Sequence, residues 1–121
     1  MSDNTFYNRQ GKPTAYTNDE VHIYLFSGTP VAYFSNDSVY SFSGKHLGRI
    51  GNGWIRDNSG KCVFFTTEAS GSGPVKPVRG VSPVKGVRGV RPVKSVKQTK
   101  PSKPVNSTSW SSLSSEDFFA Q

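Results

Sequence analysis

The stretch Ile23-Tyr24-Leu25-Phe26-Ser27-Gly28-Thr29-Pro30-Val31-Ala32-Tyr33 decides the fold, because its pattern occurs four times in succession. Aromatic and β-branched residues stand on both sides of a central Ser-Gly pair, as in two strands joined by a tight turn. Glycine enters the positive-φ region without steric cost, which such a turn requires. The stretch therefore predicts a β-hairpin with Gly28 at its tip.

The repeat is defined by four glycines at nearly constant spacing along the chain. These predicted turn glycines are Gly11, Gly28, Gly44 and Gly60. Five residues before them stand Phe6, Ile23, Val39 and Ile55, and four residues before them stand Tyr7, Tyr24, Tyr40 and Arg56. We expect an all-β head of four consecutive hairpins in a pseudo-fourfold, flower- or propeller-like arrangement. An ordinary open antiparallel sheet is the alternative.

The two residues before each turn must face opposite sides of the sheet, because side chains alternate across a strand. We expect the Phe/Ile/Val/Ile ring to form the shared core, since it is apolar in all four units, whereas the tyrosine ring must admit Arg56. The tyrosines would then be exposed and ligand-facing together with Lys12, Lys45 and Lys61. The fourth unit also departs from the pattern at Phe64, where the other units have a small residue.

A basic tail with a period of three follows the head. One slot of the triplet holds Val75, Val78, Val81, Val84, Val87, Val90, Val93 and Val96. The next slot holds the cations Lys76, Arg79, Lys85, Arg88, Arg91, Lys94, Lys97, Lys100 and Lys103. Polyproline II has three residues per turn, so only that conformation gathers the valines into one stripe. We expect an extended polyproline-II-like tail whose stripe packs on the head, on another tail, or on both; a disordered, solvated tail is the alternative.

The last segment predicts a short helical turn. Ser114-x-x-Asp117 is typical of a capping box, and Leu113 with Phe118 would form a hydrophobic staple. Together with Trp110 and Phe119 these residues form an apolar plug; a mobile C-terminus is the alternative. The chain thus divides into a hairpin head (1–70), a linker (71–73), the tail (74–105) and an amphipathic C-terminal segment (106–121).

Composition excludes several classes of protein. The chain has 121 residues and a net charge of +7, yet residues 1–73 are neutral and all nine charges of residues 74–105 are positive. There is no run of about 18 apolar residues for a membrane span, and the polar start at residues 1–5 does not look like a signal peptide. Since Cys62 is the single cysteine, no intrachain disulfide can form, and the cytoplasm is the expected compartment.

The sequence offers little for catalysis. His22 and His46 lack the spacing of metal ligands, and Cys62 lies in a predicted strand, where a buried small side chain is favoured over a nucleophile. We expect no enzyme activity, no catalytic residues, no metal and no cofactor.

The expected function is a non-catalytic structural or protein-interaction module that self-associates through its tail, forming a homo-oligomer. The residues expected to carry this association are the eight valines of the stripe with Trp110, Leu113, Phe118 and Phe119. The alternative is a non-specific electrostatic binder of nucleic acid or another anionic polymer through the nine tail cations. The tail has no aromatic residue for base stacking, and two P-x-x-P stretches make another protein a further candidate partner.

The hairpin motif resembles the four-fold β flower domain family of uncharacterised bacterial proteins. The resemblance also includes Gly53-Trp54-Ile55-Arg56-Asp57, the Pro-Val-Lys tail, and the ending Ser109-Trp110-Ser111-Ser112-Leu113-Ser114-Ser115-Glu116-Asp117-Phe118-Phe119. It covers about residues 5–119. It implies a fold and no biochemical activity, so it carries no catalytic residues over to this chain.

Overall fold

The computed structural model describes residues 4–121, so the first three residues of the expected head lie outside the described residues. Eight short strands are followed by one helix, α1 (Ser115–Phe119). The strands are β1 (Asn4–Tyr7), β2 (Pro13–Thr17), β3 (His22–Leu25), β4 (Pro30–Ser35), β5 (Ser38–Tyr40), β6 (His46–Gly51), β7 (Trp54–Asp57) and β8 (Cys62–Phe65). Within the described residues, no helix is long and apolar enough to cross a membrane.

The eight strands form a closed antiparallel barrel in which each strand pairs with its neighbours in sequence. Closure comes from the first and last strands, which pair through Tyr7 and Phe65. The four expected hairpins are therefore present, and the alternative of an open sheet is excluded. Closure removes both exposed sheet edges, which explains how a head this small avoids pairing with other strands.

Each hairpin carries the same irregularity at the same place. The register of the two strands shifts between Phe6 and Tyr7 in the first hairpin, and at the equivalent positions in the other three. A bulge of this kind bends a strand and increases its twist. Four equivalent bends help so few residues close into a barrel.

The four turns are also equivalent. Gly11, Gly28, Gly44 and Gly60 have φ of 81°, 99°, 94° and 90°. In the first turn the N–H of Gly11 donates to the carbonyl oxygen of Asn8 (2.9 Å), and the other three turns repeat this bond. The prediction of four positive-φ glycines at hairpin tips is confirmed.

The Phe/Ile/Val/Ile ring forms the barrel interior, as expected. Phe6, Ile23, Val39 and Ile55 are all 0% exposed. They belong to one core cluster with the small side chains of Ala15 and Ala32. The position four residues after the turn holds Ala15, Ala32 and Gly48 in three units and the fully buried Phe64 in the fourth.

Helix α1 fills the barrel interior in the sector where the repeat is irregular. Phe118 is completely buried and lies edge-to-face against Phe64, with 5.6 Å between ring centroids. The ring also lies next to Gly48, where a Cβ would be 3.2 Å from the Cε1 atom of Phe118. The expected cap is present, since the side chain of Ser114 accepts a hydrogen bond from the N–H of Asp117. The C-terminal segment is therefore a docked plug.

Candidate functional site

The basic tail encircles the barrel, following the hairpins in their order along the chain. Its backbone N–H groups donate to the carbonyl oxygens of all four turn glycines. These bonds are Gly80 to Gly11 (2.8 Å), Gly89 to Gly28 (2.8 Å), Gln98 to Gly44 (2.7 Å) and Ser107 to Gly60 (3.0 Å). We call residues 74–107 the belt. The belt has neither helix nor strand, and it is held by its contacts with the turns.

The belt and the barrel keep a fixed register of nine belt residues to one hairpin. The carbonyl oxygens closest to the four turn glycines are those of Val78, Val87, Val96 and Val105, which are nine residues apart. Because nine residues are three complete triplets, the same position of the triplet contacts each of the four hairpins. The triplet period therefore places one type of side chain towards the barrel and another away from it at every hairpin.

The belt cations lie over aromatic rings of the barrel. The distance from the Cζ atom of each arginine, or the Nζ atom of each lysine, to the ring centroid is between 4.4 and 5.9 Å. The values are 5.9 Å for Arg79–Tyr7, 4.6 Å for Lys85–Tyr16, 5.8 Å for Arg88–Tyr24, 4.4 Å for Lys94–Tyr33 and 5.9 Å for Lys97–Tyr40. Such contacts contribute about 0.5–1 kcal/mol each at exposed sites. They repeat at nine-residue intervals and reinforce the register.

The prediction of an exposed tyrosine ring is wrong. Tyr7, Tyr24 and Tyr40 are 8%, 2% and 2% exposed, and Arg56 is 6% exposed. These side chains face away from the barrel axis, as the alternation of strand residues requires, but the belt covers them. Lys12, Lys45 and Lys61 are exposed as expected, so the ring and the lysines do not form one surface.

The valines of the belt face solvent. Val75, Val78, Val81, Val84, Val87, Val90, Val93, Val96 and Val105 are each 90–95% exposed. The sequence predicts that the tail packs on the head, on another tail or on both through this stripe. The tail does lie on the head, but through its backbone and its cations, and the valine side chains are left free for another surface.

In the fourth hairpin, both residues of the contact between a barrel tyrosine and a belt cation are replaced. Arg56 stands at the tyrosine position, and Asn106 stands at the belt position that Arg79, Arg88 and Lys97 occupy in the other units. The Nη2 atom of Arg56 donates to the carbonyl oxygens of Ser72 (2.6 Å) and Ser107 (3.5 Å). Here the positive charge belongs to Arg56 of the barrel, and the belt residue Asn106 is neutral. A lysine or arginine on the belt at this position would instead stand opposite Arg56 and repel it.

Trp110 and Leu113 anchor the chain beyond the belt. Trp110 packs edge-to-face against Trp54 and Phe65, with 6.1 Å between centroids in both pairs. It also forms a parallel bridge with Cys62. Leu113 is partly buried against the barrel core. Of the residues expected to carry self-association, Trp110, Leu113, Phe118 and Phe119 are thus engaged within the chain, and only the valines are exposed.

The belt is a continuous positive surface. All nine of its lysines and arginines are exposed. Lys100 is 3.8 Å from Asp37, and Arg91 donates to the hydroxyl of Tyr24 (3.0 Å). These residues are exposed although several of their cationic groups contact the barrel.

Cys62 is unsuited to nucleophilic chemistry. The side chain is 0% exposed, and burial raises the pKa of its thiol above the ordinary value. The prediction of a buried cysteine is confirmed. In residues 4–121 no group of three His, Cys, Asp or Glu side chains is arranged to hold a metal ion.

His46 is a buried structural residue. Its Nδ1 atom lies 2.7 Å from the Oδ1 atom of Asn58, and its Nε2 atom lies 3.0 Å from the hydroxyl of Ser38. An amide oxygen only accepts, so Nδ1 carries the proton and Nε2 accepts from Ser38. Burial lowers the pKa of His46, and the positive charges of Arg49 and Lys100 lower it further, against the opposing effect of Asn58.

We expect the free energy of unfolding to decrease as the pH falls from 7.5 to 5.5. The pKa of His46 is lowered in the folded state, so below its unfolded value of about 6.5 the unfolded state binds more protons. Urea unfolding at several pH values measures the slope. The variant His46→Gln should have a flatter profile in this window, and equal slopes for both proteins would contradict the assignment.

The architecture defines a class of protein, a closed barrel of four hairpins encircled by its own C-terminal tail. The model of the 4-fold beta flower protein family matches residues 4–119, and the chain belongs to this family. The resemblance expected from the hairpin motif and the ending is confirmed. Neither the curated proteins nor the solved structures gave a match to the chain.

Proposed function

We propose that this protein is a non-catalytic interaction module that forms a homo-oligomer through the valines of its belt. The observation that carries the proposal is that nine valines, in a single slot of the triplet repeat, are 90–95% exposed. Proteins that act as monomers rarely leave so much apolar surface in one arrangement. The single buried cysteine favours the cytoplasm as the compartment of the assembly.

The valine stripe is suited to contact a second copy of the chain. Fully burying one valine contributes about 1.5–3 kcal/mol, so several valines of each partner must be buried together to exceed an association cost of about 4–15 kcal/mol. The belt is held in place by four glycine turns before any partner arrives, which reduces the ordering cost of binding. The belt cations of two copies repel one another, so salt that screens this repulsion should strengthen association.

The proposal is tested by the mass of the full chain in solution, measured by light scattering at low and high salt. We expect a mass above that of a single chain, which falls in the triple variant Val84→Ser/Val87→Ser/Val90→Ser. At protein concentrations low enough for both proteins to be monomeric, the free energy of unfolding should be the same, because these side chains are exposed in one chain. The matched control Lys85→Gln/Arg88→Gln/Arg91→Gln removes the neighbouring charges and should retain the mass. A monomeric wild-type protein at all salt concentrations would overturn the proposal.

A second candidate function is the electrostatic binding of an anionic polymer. It is favoured by nine exposed cations along one belt, with no acidic residue in positions 74–105. If all nine met phosphates of duplex DNA, the logarithm of affinity would fall with the logarithm of salt with a slope of about −8. The same two triple variants distinguish the two candidate functions. If the protein binds an anionic polymer, Lys85→Gln/Arg88→Gln/Arg91→Gln should lose polymer binding and Val84→Ser/Val87→Ser/Val90→Ser should keep it.

A further inference from the structure

The groove between the third and fourth hairpins differs from the other three grooves of the barrel. The other grooves each hold a stacked aromatic pair, with centroids 5.3 Å apart for Tyr7–Phe65, 5.8 Å for Tyr16–Tyr24 and 6.0 Å for Tyr33–Tyr40. In the odd groove both aromatic positions are arginines, since Arg49 of β6 pairs directly with Arg56 of β7. The chain therefore replaces two rings with two adjacent cations at one site.

Both arginines are at least partly buried, and in residues 4–121 neither is paired with a carboxylate. Arg56 is 6% exposed and Arg49 is partly buried. Each guanidinium donates through Nη2 to a backbone carbonyl oxygen at 2.6 Å, that of Pro101 for Arg49 and that of Ser72 for Arg56. Among the described residues 4–121, the buried Nη1 atom of Arg49 and the buried Nε atom of Arg56 have no hydrogen-bond partner. Unpaired buried donors on charged groups are costly, and an anion beside the two guanidinium groups would offset this cost electrostatically.

Both arginines line a cavity of about 90 Å³ beneath the belt. Lys103 and Asn106 of the belt also line it, with Asp37 and Asp57 on its walls. On this measure one water molecule needs about 10–15 Å³, so the cavity has room for a small oxyanion.

The two carboxylates of the cavity wall are engaged elsewhere. Asp57 accepts from the N–H groups of Ser59 and Lys61 and from the hydroxyls of Ser59 and Ser111. These bonds outweigh the effect of burial and lower the pKa of Asp57, so it stays ionised in its own turn. Asp37 is mainly exposed and lies near Lys100. Within residues 4–121 neither arginine forms an ion pair with a carboxylate.

We propose that this cavity binds a small oxyanion of the phosphate class, as free phosphate or as the terminal group of a phosphate monoester. The guanidinium groups of Arg49 and Arg56, which line the cavity, supply donors for its oxygens, and Lys103 supplies a third positive charge from the belt. Guanidinium groups present fixed donors that match phosphate oxygens. The lining holds three positive and two negative side chains, so its net charge favours an anion over a cation. Because the belt forms one wall, the ion also fastens the belt to the barrel.

The experiment is a calorimetric titration of the full chain with inorganic phosphate at low salt. We compare Lys103→Gln with Lys94→Gln, which stands nine residues earlier in the same slot, over the Tyr33 ring. Both lysines are exposed, so neither change should prevent folding. Loss of one charged contact should weaken phosphate binding about tenfold or more for Lys103→Gln, while Lys94→Gln should stay near the wild-type affinity.

A second variant tests the arginines directly. Arg49→Gln should also weaken binding about tenfold or more, and its thermal unfolding without phosphate shows whether the fold is retained. Equal losses for Lys94→Gln and Lys103→Gln would mean that phosphate binds the belt in general, and the absence of saturable binding would likewise overturn the proposal. A phosphate monoester as second titrant separates the two sources of the group. Oligomer mass is measured in parallel, so failure of this site and failure of self-association are distinguishable.

Discussion

Replacing Phe118 with alanine should lower the free energy of unfolding by about 3–5 kcal/mol, the usual cost of removing a large buried aromatic ring. Phe118 is 0% exposed and fills the barrel interior against Phe64 and the backbone of Gly48. Urea unfolding followed by circular dichroism measures the change.

Phe119 provides the matched control. It stacks on the same ring, with 5.5 Å between centroids, but is only partly buried. Phe119→Ala should therefore be clearly less destabilising than Phe118→Ala. Similar small effects for both variants would show that helix α1 is not a plug.

Replacing Gly28 with alanine should be the most disruptive change in any turn. Its φ of 99° strains a residue with a Cβ, which alone costs about 1–3 kcal/mol. The added Cβ would in addition collide with the carbonyl carbon and oxygen of Val87 in the belt. We therefore expect a loss of stability larger than backbone strain explains, together with faster proteolysis within residues 81–93.

Gly51→Ala is the control for this prediction. A Cβ at Gly51 meets no atom within 4 Å, so stability should change little. A Gly28→Ala variant that loses stability but keeps its belt protected from protease would contradict the contact between the turn and the belt.

The barrel could be predicted because its decisive features are local. The turn glycines and the apolar residues five positions before them repeat at nearly constant spacing, and each hairpin forms from neighbouring residues. The C-terminal cap is local too, since Ser114 and Asp117 are three residues apart. These parts of the fold depend on short-range rules that hold in each unit separately.

The face of the tyrosine ring could not be assigned correctly from one hairpin at a time. The presence of Arg56 in the ring favours exposure, but the burial of the ring depends on the belt, which comes from a distant part of the chain. A signal was present in the sequence. Arg79-Gly80 and Arg88-Gly89 are nine residues apart, and Arg56 coincides with Asn106 in the one unit where the belt cation is missing.

Only one residue of the arginine pair, Arg56, was identified from the sequence. Arg56 stands out as the exception among the tyrosines, and Arg49 stands five residues after the third turn, where the other units have Tyr16, Tyr33 and Phe65. Only the pairing of β6 with β7 places the two side chains in one groove. The pairing of adjacent hairpins, which closes the barrel, creates the cavity, and no single repeat contains it.

The nine-to-one register has a consequence for how such a protein can change in evolution. The repeating structural unit is discontinuous in sequence. Each hairpin is covered by nine residues of the belt, and these residues come much later in the chain. A single tandem duplication would add a hairpin without its piece of belt and leave one aromatic groove uncovered. A five-hairpin descendant would need two coordinated insertions. The number of hairpins is thereby protected against gain or loss by one event, in contrast to open arrays that lengthen one unit at a time.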